Sequence, residues 1–284
     1  MSKFFSTFVP DFENKMEKIS KAQIKLVKSL QQKKYRDELG LFVAEGEKCI
    51  EELCRGFQPE MLIISSKSDT LPDAPTKLYT ASPTEIEQMS GLRSPQGVIG
   101  VFKKRSQLSE ISHQTSDLML ALDGIQDPGN LGTIIRTCDW FGVRDIFCSP
   151  DTADCYNPKV VQATMGALAR VRIHYVNIVE WLSVLSRQQS DLKIYGTLLD
   201  GRNMYEVLKP ADAKSSAVII MGNEGNGISE PVRRLITHPV LIPSYSPKGI
   251  SEQDGINKEA SEVIESLNVS IATAIILAEF RRNL

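Results

Sequence analysis

Residues Met221 to Ser229, Met-Gly-Asn-Glu-Gly-Asn-Gly-Ile-Ser, follow the apolar run Ala217-Val-Ile-Ile220 and come one residue short of a phosphate-binding loop. Gly222, four further residues, then Gly227, Ile228 and Ser229 match G-x-x-x-x-G-K-[ST] everywhere except at the lysine. That lysine reaches the β- and γ-phosphates, and isoleucine carries no charge with which to do so. The segment therefore predicts a tight glycine turn at the end of a buried strand, built for something other than nucleotide hydrolysis. A carboxylate, Glu224, sits in the middle of the turn.

Two further loops could carry chemistry. Asp123-Gly-Ile-Gln-Asp-Pro-Gly-Asn130-Leu-Gly-Thr-Ile-Ile-Arg136 runs from a strand end into a helix, but its glycines at 124, 129 and 132 do not give G-x-G-x-x-G. The dinucleotide fingerprint fails. Asn130 is placed to cap that helix. Arg136 lies between Ile134-Ile135 and the Cys138–Trp140 stretch, and an arginine so close to an apolar core binds an anion or pairs with a carboxylate. The last loop, Glu265-Ser-Leu-Asn-Val-Ser270, leads into Ile271-Ala-Thr-Ala-Ile-Ile-Leu-Ala278. Taken singly, each loop also reads as ordinary caps and turn formers.

These loops need elements to hold them. From Asp117 onward, near-continuous apolar strands at 118–122, 145–148, 194–198, 217–221 and 240–242 alternate with helices at about 132–140, 158–169, 178–188 and 230–236, and a final helix over 268–280. That rhythm predicts a parallel sheet covered on both faces, with ligands beyond the carboxyl ends of the strands. The final helix is apolar on nearly all sides, which predicts burial in a core or a subunit interface. Upstream, Ile19, Ile24, Val27 and Leu30 predict an amphipathic helix from about Ser20, a candidate N-cap, to Lys34. Strands at 41–44, 61–64, 77–79 and 98–102 and a helix over 46–55 complete a smaller α/β unit. The domain boundaries expected are 1–105, a polar linker 106–116, and 117–284.

Composition narrows the classes. With 42% apolar and 24% charged residues the chain reads as an ordinary globular protein. No run of 18 apolar residues predicts a membrane span, and the start lacks the pattern of a signal peptide. Cys49, Cys54, Cys138, Cys148 and Cys155 fit no zinc spacing, and His113, His174 and His238 are scattered, so reduced thiols, no metal site and a cytoplasmic protein are expected. Lys15, Lys18, Lys21, Lys25, Lys28, Lys33, Lys34 and Arg36 share a segment with a single acid, Glu17. That cluster reads either as a phosphate-contacting patch or as a solvated helix face.

Together and in this order, the three loops resemble the signature motifs of the SpoU (TrmH-type) RNA ribose 2′-O-methyltransferases of the SPOUT superfamily. Asn130-Leu-Gly-Thr-Ile-Ile-Arg136 is similar to the first motif and Gly222-Asn-Glu-Gly-Asn-Gly-Ile-Ser229 to the second. Ile242-Pro243 with Ser266-Leu-Asn-Val-Ser270 is similar to the third. Residues 15–102, through Ala44-Glu-Gly-Glu47 and Ser94-Pro-Gln-Gly97, resemble more weakly the family's RNA substrate-binding extension. The resemblance implies a C-terminal α/β domain tied in a trefoil knot, S-adenosylmethionine as cofactor, structured RNA as partner (ribosomal rather than transfer RNA) and a homodimer through the C-terminal domain. Carried over, Gly222, Ile242 and Leu267 contact the cofactor, and Leu198 and Leu199 wall the adenosine pocket. Arg136, Asn130, Glu224, Ser266 and Asn268 form the catalytic set, with Glu224 and Asn130 orienting Arg136. Lys25, Lys28, Lys33, Lys34 and Arg36 are the expected RNA contacts. The connection 244–265 departs from the short one of most members; a lid, an RNA contact and a mobile insertion all fit its polar composition. The competing reading is a non-catalytic RNA-binding protein on the same fold.

Overall fold

Ser20 supplies an acceptor hydroxyl just before the apolar-periodic stretch, and in the computed structural model it begins a helix. The structure describes residues 16–65, 77–105, 118–208, 216–245 and 266–282. The expected linker 106–116 and nearly all of the 244–265 connection lie outside them. After β1 (Glu17–Lys18), helix α1 (Lys21–Ser29) opens with a capping box, in which the Gln23 amide donates to Ser20 Oγ and the Ser20 amide donates to the Gln23 side chain. The helix expected to reach Lys34 stops at Leu30; α2 (Lys33–Leu39) is a separate segment that ends on Gly40 at φ 65°, a left-handed residue suited to glycine. Then follow β2 (Leu41–Glu45), α3 (Glu47–Cys54), β3 (Pro59–Ser65), β4 (Lys77–Ala81), α4 (Pro83–Met89) and β5 (Val98–Lys103). The strands form a mixed sheet in the order β1-β4-β3-β5-β2. Val27, Leu30, Ile63, Met89, Ile99 and Val101 form one buried cluster of its core, and each such side chain contributes about 1.5–3 kcal/mol by leaving water.

A second segment belongs to this first unit. Asp154–Arg170, expected with the C-terminal half, packs here instead. Its helix α6 (Pro158–Thr164) is broken from a 3₁₀ turn at Ala167–Ala169 by Met165 and Gly166, both at positive φ, so the single helix expected over 158–169 does not form. Tyr156 lies 4.8 Å from the Phe42 ring, and Arg170 pairs with Glu52.

Asp154 also explains a correction to the expected RNA contacts. Arg36 is only 1% exposed: Nε and Nη2 donate to Asp154 Oδ2 at 3.1 and 2.7 Å, and Nη1 donates to the Leu30 and Gln31 carbonyls, both at 2.9 Å. With four of its five N–H groups bonded and almost no exposed surface, this guanidinium cannot reach a phosphate. Its place in the lysine-rich segment is structural: it closes the α1–α2 corner onto the 154–170 segment. Arg36→Ala strands a buried carboxylate and should cost about 3–5 kcal/mol in chemical denaturation of the full chain, where Lys25→Ala costs under about 0.5. Similar losses for the two would overturn this assignment.

In the second unit, β6 (Leu118–Asp123), β7 (Asp145–Cys148), β8 (Arg172–Tyr175), β9 (Lys193–Asn203), β10 (Ala217–Gly222) and β11 (His238–Leu241) pair in the order β11-β9-β10-β6-β7-β8. Every pairing is parallel, as the apolar runs require. Strand β8 was not anticipated; its Arg172 and His174 both bond Asp145 of β7, which masks an otherwise short strand as polar. Helices α5 (Pro128–Trp140), α7 (Ile178–Gln188), α8 (Met204–Val207), α9 (Glu230–Arg233) and α10 (Val269–Arg281) complete it. The order of the strands reverses at β6, whose neighbours are β7 and β10. The carboxyl ends of β6 and β10 therefore flank a topological switch point, the place where such sheets bind ligands.

Candidate active site

The last pair in the β6–β10 register is Asp123 with Gly222, so the first and second loops leave the sheet side by side. Gly222 must be glycine: a Cβ there would lie 2.3–2.5 Å from the Gly227 carbonyl and the Ile228 nitrogen, which fold back over it. The turn closes through paired bonds of 2.9 Å between the Asn223 and Gly227 backbones, with Gly227 at φ +67°. Asn223 is its hub. Its Oδ1 accepts from the Gly225 and Asn226 amides at 2.8 and 3.1 Å, and its Nδ2 donates to the Gly124 carbonyl at 2.7 Å, joining the two loops. The Ser229 amide donates to Asp123 Oδ2 at 2.7 Å.

This arrangement settles why the turn is no phosphate loop. A phosphate cradle needs free inward-pointing amides; here those of Gly225, Asn226, Gly227 and Ser229 are committed to protein acceptors. Ile228, in the lysine position, is 7% exposed and packed in the apolar core.

Helix α5 starts earlier than expected. Asp127 is the N-cap, accepting from the Asn130 amide at 2.8 Å, and Pro128 occupies the first turn. Asn130 is therefore not the cap, and its side chain is free to face the second loop. Asn130 Nδ2 donates to Glu224 Oε1 at 2.9 Å; Asn268 Nδ2 donates to the same oxygen and to Asn130 Oδ1, both at 2.8 Å; the Val269 amide donates to Glu224 Oε1 at 3.0 Å. Asn268, rather than Ser266, caps α10, its Oδ1 accepting from the Ser270 and Ile271 amides. Residues from three distant loops thus meet on one carboxylate at the positive end of α10, where a negative charge is favoured.

Arg136 does not join them. It stands six residues and about 9 Å of helix rise beyond Asn130, exposed and with no hydrogen-bond or ion-pair partner among the described residues. The expected contact between Glu224 and Arg136 is absent; the Glu224 oxygen is occupied by Asn130, Asn268 and the α10 amide. Ser266 is exposed and makes no hydrogen bond to the cluster, and Leu267, 46% exposed, leads into Asn268.

The remaining residues collect at the same carboxyl edge. Strands β9 and β11 pair up to Gly196 with Pro239 and resume at Arg202 with Val240, leaving Thr197 to Gly201 bulged out. Leu198 and Leu199 ride on that bulge, Leu199 at 74% exposure, and Ile242 directly follows β11. Asn223, Asp123 and Asp127 were not singled out in the sequence, although Asn and Asp before glycine turns and Asp-Pro before a helix are recognisable signals. All five cysteines are thiols outside any disulfide, and burial raises the Cys49 thiol to about 11, so it stays protonated. Among the described residues no group of three or more His, Cys, Asp or Glu could hold a metal ion, and no helix is long and apolar enough to cross a membrane.

Comparison with known proteins places the chain among RNA methyltransferases by sequence and fold. Residues 117–249 match the SpoU rRNA methylase family and residues 21–100 the MRM3-like substrate binding domain. The 23S rRNA (guanosine(2553)-2′-O)-methyltransferase RlmP of Bacillus subtilis is 27% identical over 94% of this chain and 98% of its own length. A solved structure of a putative TrmH-family RNA methyltransferase from Porphyromonas gingivalis is 36% identical with a TM-score of 0.76, covering 94% of this chain and 99% of that one. The AdoMet-bound rRNA methyltransferase from Sinorhizobium meliloti is 29% identical with a TM-score of 0.74, covering 95% and 97%.

Proposed function

This chain belongs to the SpoU rRNA methylase family, and we propose that it transfers a methyl group from S-adenosylmethionine to a ribose 2′-hydroxyl of structured RNA, ribosomal rather than transfer RNA. The observation that carries this reading is the Glu224 carboxylate joining Asn130 and Asn268 at the switch point of the parallel sheet. The edge also fits the cofactor's chemistry. The apolar side chains of Leu199 and Leu267 stand exposed at this edge, available to a cofactor's apolar parts, and the turn's amides are unsuited to a triphosphate. Gly222, Ile242 and Leu267 would hold S-adenosylmethionine mainly through their backbones, with Leu198 and Leu199 walling the adenosine. When bound, it supplies a methyl group made electrophilic by a cationic sulfur.

The protein's part is positioning and charge. Holding the hydroxyl oxygen in line with its target accounts for much of the acceleration. The hydroxyl must also lose a proton, and a guanidinium, protonated to above about pH 12, is no base. Arg136 instead grips the phosphate next to the target ribose and stabilises the developing alkoxide, the proton leaving through that phosphate or water. Asn130, Glu224 and Asn268 lock the three loops together, and Ser266 with Asn268 orders the segment around the cofactor. A trefoil knot in the C-terminal domain is part of this reading.

The exposed face supports a homodimer. Trp140 is 85% exposed and Ile271 53%, with Ile275 and Ala278 following Ile271 at helical spacing. A second copy would cover this stripe, in a protein working in the cytoplasm. The test combines activity and mass. Full-length protein with S-adenosylmethionine and unmodified 23S rRNA transcript should produce a 2′-O-methylated ribose, mapped by resistance to alkaline cleavage, and should sediment as a dimer. A protein that neither retains the cofactor nor methylates would be the non-catalytic RNA binder.

A further inference from the structure

We propose that the loop Ser90 to Gly97 of the first unit is a preorganised RNA-phosphate contact, with Arg93 as its gripping residue and Glu45 as the positioning residue that holds it. This rests on the reading of that unit as an RNA-binding one and names the surface it uses. Glu45 is 5% exposed, at the end of β2. Its Oε2 accepts from Ser90 Oγ at 2.5 Å and its Oε1 from the Gly91 amide at 2.7 Å; Ser90 Oγ in turn accepts from the Leu92 amide at 3.0 Å. Gln31, at the end of the lysine-bearing α1, donates to the Met89 carbonyl at 3.3 Å and lies so close to Gly91 that a Cβ there would meet its Oε1 at 2.7 Å. The far end is clamped as well: the Ser65 amide donates to the Gly97 carbonyl at 2.7 Å and the Gly46 amide to the Val98 carbonyl at 3.0 Å.

Between these clamps Arg93, Ser94, Pro95 and Gln96 are exposed, and Arg93 has no partner among the described residues. Burying a carboxylate is costly unless it is well bonded, and here its bonds serve to fix a loop whose own side chains point to water. Fixing an exposed arginine before it binds lowers the entropy lost on binding. The arginine also extends an existing field. Lys25, Lys28, Lys33 and Lys34 are all exposed and none makes an ion pair among the described residues, Lys33 only feeling the charge of Asp37, and the chain carries no acid from Lys18 to Arg36. Gln31, which touches the loop, sits between Lys28 and Lys33. The sugar-phosphate backbone of folded RNA is the partner such a row fits.

The experiment is a salt titration of full-length protein on fluorescently labelled, unmodified 23S rRNA transcript. Arg93→Gln should weaken binding about tenfold and lower the slope of log K against log[salt] by about 0.9, the value of one phosphate contact. Glu45→Gln should weaken binding in the native background but cost nothing further in the Arg93→Gln background. Equal losses in both backgrounds would reduce Glu45 to a general fold contact and overturn its role. Changing Lys25, Lys28, Lys33 and Lys34 together to Gln separates the two levels. If that variant binds weakly while Arg93→Gln binds normally, the loop inference fails and the RNA-binding reading stands; if neither weakens, the reading beneath it fails.

Discussion

Arg136→Ala should abolish methyl transfer while leaving S-adenosylmethionine binding intact. The side chain is exposed on α5 and has no partner among the described residues, so its removal strands nothing and should change stability by no more than about 0.5 kcal/mol. Its role is confined to the RNA-bound state, where the lost charge acts on a developing alkoxide. Removing a single stabilising donor of that kind typically costs about 10²–10³-fold in kcat, and a full positive charge sits at the upper end. Arg136→Lys keeps the charge but loses the planar fork, so partial activity is expected. The measurement is methyl transfer from labelled cofactor under saturating RNA, beside calorimetric cofactor binding. Substantial turnover by the alanine variant would sink the assignment, and loss of cofactor binding would move Arg136 into the cofactor site.

The second large effect is expected at Gly222. In Gly222→Ala the new methyl carbon would lie 2.3 Å from the Gly227 carbonyl carbon and 2.4 Å from the Ile228 nitrogen. Both are backbone atoms, so no rotamer change relieves the clash; the turn itself must open. Opening it breaks the Asn223–Gly227 pair and carries Glu224 away from Asn130 and Asn268. Cofactor affinity should fall by at least about a hundredfold, and overpacking of this kind costs about 1–3 kcal/mol of stability. Calorimetry and thermal unfolding read the two effects separately. Native cofactor affinity in this variant would mean that the turn does not form the cofactor site. Where Arg136→Ala fails at chemistry with binding preserved, Gly222→Ala fails at binding, which distinguishes the two halves of the proposed site.

Much of this protein could be read from one dimension. The parallel sheet followed from unbroken apolar runs, because a strand buried on both faces cannot alternate. Helix α7 appears over Ile178–Gln188 as expected, since its apolar stripe and Asn177 cap are both local. The glycine turn was likewise visible, and its missing lysine excluded nucleotide hydrolysis. The errors lie where a distant partner overrides a local signal. Asn130 resembles a cap, yet Asp127-Pro128 starts the helix first and leaves Asn130 for Glu224. Arg36 looks like one more surface cation in a lysine-rich segment until Asp154, 118 residues away, buries it.

What the sequence by itself determined is the inventory: a glycine turn with a carboxylate, a helix-borne arginine, a third polar loop before an apolar helix, and a lysine-rich stretch free of acids. Side-chain type and local spacing are enough for these, because caps, turns and periodicity act within a few residues. Only the tertiary structure decided who meets whom. The parallel pairing of β6 with β10 brings the first two loops to one edge, and the start of α10 brings the third. Glu224 has one bonded oxygen to share, and geometry gives it to Asn130, Asn268 and the α10 amide. Arg136, a helix turn and a half further on, is left facing outward, where an incoming RNA phosphate is the partner proposed for it.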